Sequence, residues 1–61
     1  MFDLRQIRKK RGMSLRRLAK QTGVDRKSLV LIENMERRPS VDAAKRIAEA
    51  LEFPWIQFFE Q

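Results

Sequence analysis

Leu15-Arg16-Arg17-Leu18-Ala19-Lys20-Gln21-Thr22-Gly23-Val24-Asp25-Arg26-Lys27-Ser28-Leu29-Val30-Leu31-Ile32 is the stretch whose reading decides the fold. It holds two helical patterns joined by only about three residues, a connection so short that the helices must cross steeply and closely. Close crossing demands a small residue, and Ala19 sits where the first of these helices would meet the second. Gly23 can take the positive φ of a tight turn, while Leu18, Val24, Leu29 and Ile32 are apolar where both helices must face a core.

The same device recurs on either side. Capping residues stand at Asp3, Ser14 and Asp25, each flanked by an apolar pair one position before and four positions into the helix: Phe2 with Ile7, Met13 with Leu18, Val24 with Leu29. Such staples fix the angle at which a chain enters a helix. Nine residues after each cap comes a stop-compatible residue, Gly12, Gly23 or Asn34. The spacing predicts three short helices, near 4 to 11, 15 to 22 and 26 to 33. A fourth is expected from Ser40 to about Leu51, with Val41, Ala44, Ile47, Ala48 and Leu51 at helical spacing. Pro54 suits the first turn of a short fifth, in which Phe53, Trp55, Ile56, Phe58 and Phe59 crowd together. Strand alternation and β-branched runs are missing, so the expected class is all-α, a five-helix bundle.

Sixty-one residues make one small domain, expected to run from 1 to 61, with a helix-turn-helix unit at 15 to 33 and an aromatic tail at 53 to 61. The absence of cysteine and histidine removes disulfides and the usual structural zinc sites. Without His, Cys or Tyr, proton transfer is left to unclustered carboxylates and lysines. Neither an enzyme nor a metal site, cofactor or small-molecule substrate is expected. No apolar run approaches the roughly 18 residues of a membrane span, and a cytoplasmic protein is expected.

Charge is the dominant feature. Residues 5 to 27 carry ten cations against one acid, Asp25, whereas from Pro39 onward Lys45 and Arg46 face Asp42, Glu49, Glu52 and Glu60. A polyanion partner would account for that asymmetry; a basic face that is merely solvated is the bland alternative.

In order and spacing, Ile7-Arg8, Arg11-Gly12-Met13-Ser14, Leu18-Ala19, Gly23-Val24, Ile32-Glu33, Pro39-Ser40, Ile47-Ala48, Leu51 and Phe58-Phe59 resemble the Cro/C1-type (Xre family) helix-turn-helix domains almost end to end. The tail from Phe53 to Glu60 resembles that of very short repressors of phages and mobile elements. The resemblance implies a lambda-repressor-like bundle that binds double-stranded DNA, the third helix entering the major groove and the second lying across the backbone. Leu29 and Ile32 then point inward, leaving Arg26, Lys27, Ser28 and Leu31 to read bases. Phosphates are expected at Ser14 and the free amides from Leu15 onward, helped by Arg16 and Arg17, with Arg37 and Arg38 gripping the far backbone. Arg8 and Glu33 match family positions that form a partly buried ion pair.

Three residues depart from the family pattern. Leu15 replaces a frequent phosphate-binding Gln, Met35 stands where a glycine ends the third helix, and Glu52 replaces the glycine after the fourth. A left-handed non-glycine residue costs on the order of 1 kcal/mol, so Asn34 is the expected substitute for Met35. The tail carries more apolar bulk than a short helix can bury, so a homodimer is expected through Ile56 and Phe59, with Trp55 and Phe58 turned to the core. The leading reading is a dimeric transcriptional repressor on a palindromic operator, with relief expected through a partner such as an antagonist protein, through proteolysis or through concentration. The alternative is an antitoxin-like, partner-dependent module in which DNA binding is secondary. A membrane-surface peptide is excluded, because the cations share their helices with a globular core pattern.

Overall fold

The computed structural model describes residues 2–60, and they fold as four α-helices and one 3-10 turn, with no strand among them. The helices are α1 (Leu4–Lys10), α2 (Leu15–Thr22), α3 (Arg26–Glu33) and α4 (Val41–Leu51). Each begins with a side-chain oxygen accepting from the amide three residues on: Asp3 from Gln6, Ser14 from Arg17, Asp25 from Ser28 and Ser40 from Ala43, at 3.0–3.2 Å. Helices this short do not persist alone in water, so the caps and the core must hold them together.

The core takes residues from every helix: Leu4, Leu18, Leu29, Ile32, Ala44, Ile47, Ala48 and Leu51. α2 lies at its centre, packed on both α3 and α4. The apolar residues flanking the first three caps, Phe2, Ile7, Met13 and Val24, pack against its edge. Thr22 is the buried polar residue of the turn; its hydroxyl donates to the Leu18 carbonyl (2.8 Å) and accepts from the Val24 amide (3.2 Å). Arg46 reaches across from α4 toward the Thr22 carbonyl, closing the C-terminal end of α2.

The expected fifth helix is a single 3-10 turn, Trp55–Phe58. Bonds from the Gln57 amide to the Pro54 carbonyl and from the Phe59 amide to the Ile56 carbonyl join it to its flanking residues. Phe58 turns inward and meets Phe2 and Phe53 with ring centroids 5.0–5.4 Å apart, so the two ends of the chain close over one aromatic triad. Trp55 does not join them. Phe53 fills that space, and Trp55 instead packs edge-on to Phe59 and beneath the Lys45 ammonium.

Left-handed backbone occurs at Gly12, Gly23, Met35 and Glu52. Met35, not Asn34, bears it after α3, at φ 61°, while Asn34 stays at −83°. The loop therefore keeps the geometry of a glycine ending, because the amides of Met35 and Glu36 bond back to Ile32 and Leu31 only in that conformation. Glu52 (φ 59°) does the same after α4. Met35 is 71% exposed, so Met35→Gly relieves strain with little lost packing. It should raise stability by about 0.5 kcal/mol net of the glycine's unfolded-state entropy, or about 2–4 °C in Tm by calorimetry. Asn34→Gly, at a negative φ, should lower it.

Candidate nucleic-acid interface

The N-terminal half of α3 presents Arg26 and Lys27, both exposed, beside half-buried Ser28 and Leu31, while Leu29 and Ile32 lie in the core. Two cations at the positive end of a helix are electrostatically unfavourable. Asp25 offsets them in part. Its carboxylate accepts from the Ser28 amide (3.0 Å) and the Ser28 hydroxyl (2.7 Å). The hydroxyl and amide of Ser28, aided by nearby Arg37, hold the Asp25 carboxyl below its ordinary pKa. This cap contributes stability above the ordinary aspartate range, lost as acidification protonates it.

At the start of α2, Ser14 is exposed and the amides of Leu15 and Arg16 precede Leu18, whose amide bonds to the Ser14 carbonyl. Arg16 and Arg17 are exposed beside them, whereas the Leu15 side chain packs against the core and leaves only its backbone to meet a ligand. After α3, Arg37 and Arg38 are exposed but not free-swinging. Arg37 Nη1 donates to Ser28 Oγ (3.1 Å), and the Arg38 guanidinium lies 5.3 Å above the Phe59 ring. Ile56 is exposed and Phe59 half-buried.

Arg8 and Glu33 meet directly. Arg8 Nε donates to Glu33 Oε2 at 2.6 Å and Nη2 to Oε1 at 3.3 Å, with side-chain exposures of 11% and 2%. Arg8 Nη1 also donates to the Met13 carbonyl (2.9 Å), so one guanidinium joins α1, the α1–α2 turn and the end of α3. Arg5 adds a second cation, with Nε 3.3 Å from Glu33 Oε1, and also bonds the Asn34 amide oxygen. Sequence reasoning missed Arg5, Arg46 on Thr22, and Arg37 on Ser28; each is one cation among many, with a partner far away along the chain. Among the described residues, no helix is long and apolar enough to cross a membrane, and no cluster of His, Cys, Asp or Glu could hold a metal ion.

Residues 4–58 match the helix-turn-helix family model, and the chain belongs to the Cro/C1-type helix-turn-helix family. It is 39% identical over 57 residues to YqaF of Bacillus subtilis, described as an uncharacterized HTH-type transcriptional regulator, covering 93% of this chain and 75% of the relative. It is 44% identical over 55 residues to the HTH-type transcriptional regulator SutR of Escherichia coli, covering 90% of this chain but 31% of that protein. No solved structure matches it.

Removing the Glu33 carboxylate leaves the Arg8 guanidinium desolvated without its counter-charge. Glu33→Ala should cost about 3 kcal/mol in chemical denaturation. The Arg8→Ala, Glu33→Ala pair should recover part of the loss, with a coupling of at least about 1 kcal/mol. Simple additivity would mean that the two groups contribute independently.

Proposed function

We propose that this chain, a single domain, is a cytoplasmic, sequence-specific regulator of transcription that represses as a two-fold dimer on a palindromic operator. Arg26, Lys27, Ser28 and Leu31 read base edges in the major groove. Ser14, the Leu15 amide, Arg16, Arg17, Arg37 and Arg38 engage phosphates. The observation that carries this reading is the arrangement at α3: its inner residues are locked in the core while two cations stand exposed at its positive end, offset only in part by the Asp25 cap, so that an anionic partner is favoured there. Family membership and the transcriptional regulators among the relatives support the same reading. Relief of repression acts through an antagonist protein, proteolysis or a fall in concentration.

Base and phosphate contacts fail differently, which gives the test. Lys27→Ala should cost roughly 1 to 3 kcal/mol on the preferred site and relax base preference at one or two positions of each half-site. Arg16→Ala should weaken all duplexes together and reduce the salt dependence by about one unit of slope, from a starting slope near −5 for about six neutralised phosphates. Titration of both variants against specific and random duplexes at several salt concentrations checks this. A change of base preference in Arg16→Ala, with none in Lys27→Ala, would overturn the docking.

The dimer is assigned to Ile56 and Phe59. Ile56 is 49% exposed beside a tail already packed on its own core, so its apolar surface is available to a second copy. Ile56→Glu should sediment as a folded monomer and bind the operator at least about tenfold more weakly, through loss of the paired half-site contacts. An unchanged dimer would place the interface elsewhere.

A further inference from the structure

The hydroxyl of Ser28 is not a free rotor. A serine hydroxyl has one proton to give and two lone pairs to accept with. Here the proton goes to Asp25 Oδ1 at 2.7 Å, and one lone pair takes the N–H of Arg37 Nη1 at 3.1 Å. The other Asp25 oxygen is held by the Ser28 amide, and the carboxyl is ionised at neutral pH, so it has no proton to return. What remains on Ser28 is a single lone pair. Arg37 and Asp25 thereby turn a residue that ordinarily suits any base into one with a fixed hydrogen-bond polarity.

We infer that Ser28 is a specificity-determining acceptor that reads the exocyclic amino group of a base, adenine N6 or cytosine N4, with Asp25 and Arg37 as the positioning residues that set its polarity. The inference rests on the docking of α3 proposed above. In the major groove, adenine and cytosine present N–H donors, whereas guanine and thymine present acceptors at O6, N7 and O4. An acceptor-only hydroxyl pairs with the first two and meets the others lone pair to lone pair. Arg37 thus belongs to base recognition through Ser28, besides any contact it makes with phosphate.

The test begins with duplexes selected from a random pool by the wild-type protein, Ser28→Ala and Lys27→Ala. The base pair whose preference disappears in Ser28→Ala is then rebuilt with single groups deleted. Purine for adenine, or pyrimidin-2-one for cytosine, removes the amino group; 7-deaza-adenine or 7-deazaguanine for the parent purine, or 5-methylpyrimidin-2-one for thymine, removes an acceptor from the major groove. Comparison with Ser28→Ala on the same duplexes cancels any weakening of the base pair itself. Deleting the amino group should cost the wild type about three- to tenfold more than it costs Ser28→Ala, while deleting an acceptor should cost both alike. Asp25→Ser keeps a capping oxygen but frees the Ser28 proton, and should shrink the difference between the two deletions.

The opposite pattern, with acceptor deletion costing the wild type more, would overturn the inference. So would an undiminished difference in Asp25→Ser, or a Ser28→Ala variant that keeps every preference while Lys27→Ala loses one. If neither variant changes any base preference, the docking of α3 itself fails.

Discussion

Much of this structure hangs on one carboxylate. Glu33 is the last residue of α3, its side chain is almost wholly buried, and two guanidiniums from α1 converge on it. An eight-residue helix has no independent persistence, so its direction is whatever its surroundings impose. Leu29 and Ile32 press one face of α3 into the core, but apolar packing is tolerant of small rotations and slides. The Arg8 fork is not. Two donors on one carboxylate and a third on the Met13 carbonyl fix distance and orientation together, and the fully paired arrangement avoids the cost of a lone buried charge. The C-terminal end of α3 is thereby fastened to α1, which leaves its N-terminal end as the part that faces outward.

That outward end is held by polar groups as well, and there the balance is different. The Asp25 cap secures only the first turn, and the Ser28–Arg37 link is exposed and worth little. Arg26 and Lys27 oppose the helix dipole at the same place. α3 is thus pinned firmly at its C-terminal end and lightly at its N-terminal end. A phosphate backbone close to this end would remove the unfavourable term, so the electrostatic strain of the free protein becomes part of the affinity for a polyanion.

What the sequence made legible follows the range of the interactions. The four N-caps and the apolar residues flanking them are local, spanning three to five positions, and residue type alone identifies them. The limits of α2 and α3 were readable for the same reason. The tail was less so: Pro54 marked a beginning, but nothing local showed that four residues would close as a 3-10 turn, or that Phe53 and not Trp55 would complete the triad with Phe2. That outcome depends on a contact across most of the chain. The left-handed residue after α3 was misplaced by one, since intrinsic cost favours Asn34; the back-bonds to Leu31 and Ile32 override it and put the strain on Met35. Arginine partners were the least legible. Arg8 was identified through family resemblance, but nothing local marked Glu33 as a partner of Arg5, Ser28 as that of Arg37 or the Thr22 carbonyl as that of Arg46, whereas the Asp42–Arg46 pair, four apart on α4, has the spacing that sequence can show.

The loop after α3 gathers these threads. Arg37 and Arg38 are covalent neighbours with opposite commitments: one bonds Ser28 near the N-terminal end of α3, the other lies on Phe59 in the tail. On one side Met35 sits in a strained but doubly back-bonded conformation, and on the other Pro39 is buried with φ restricted by its ring. The backbone between these anchors has few residues with which to absorb a displacement. A second copy docked on the tail would bear on the Phe59 ring, hence on Arg38, and through a single peptide unit on the arginine that fixes the polarity of Ser28. A mobile loop of the same composition would dissipate such a shift. This one, anchored at both ends, would carry a contact made on the tail to the N-terminal end of α3.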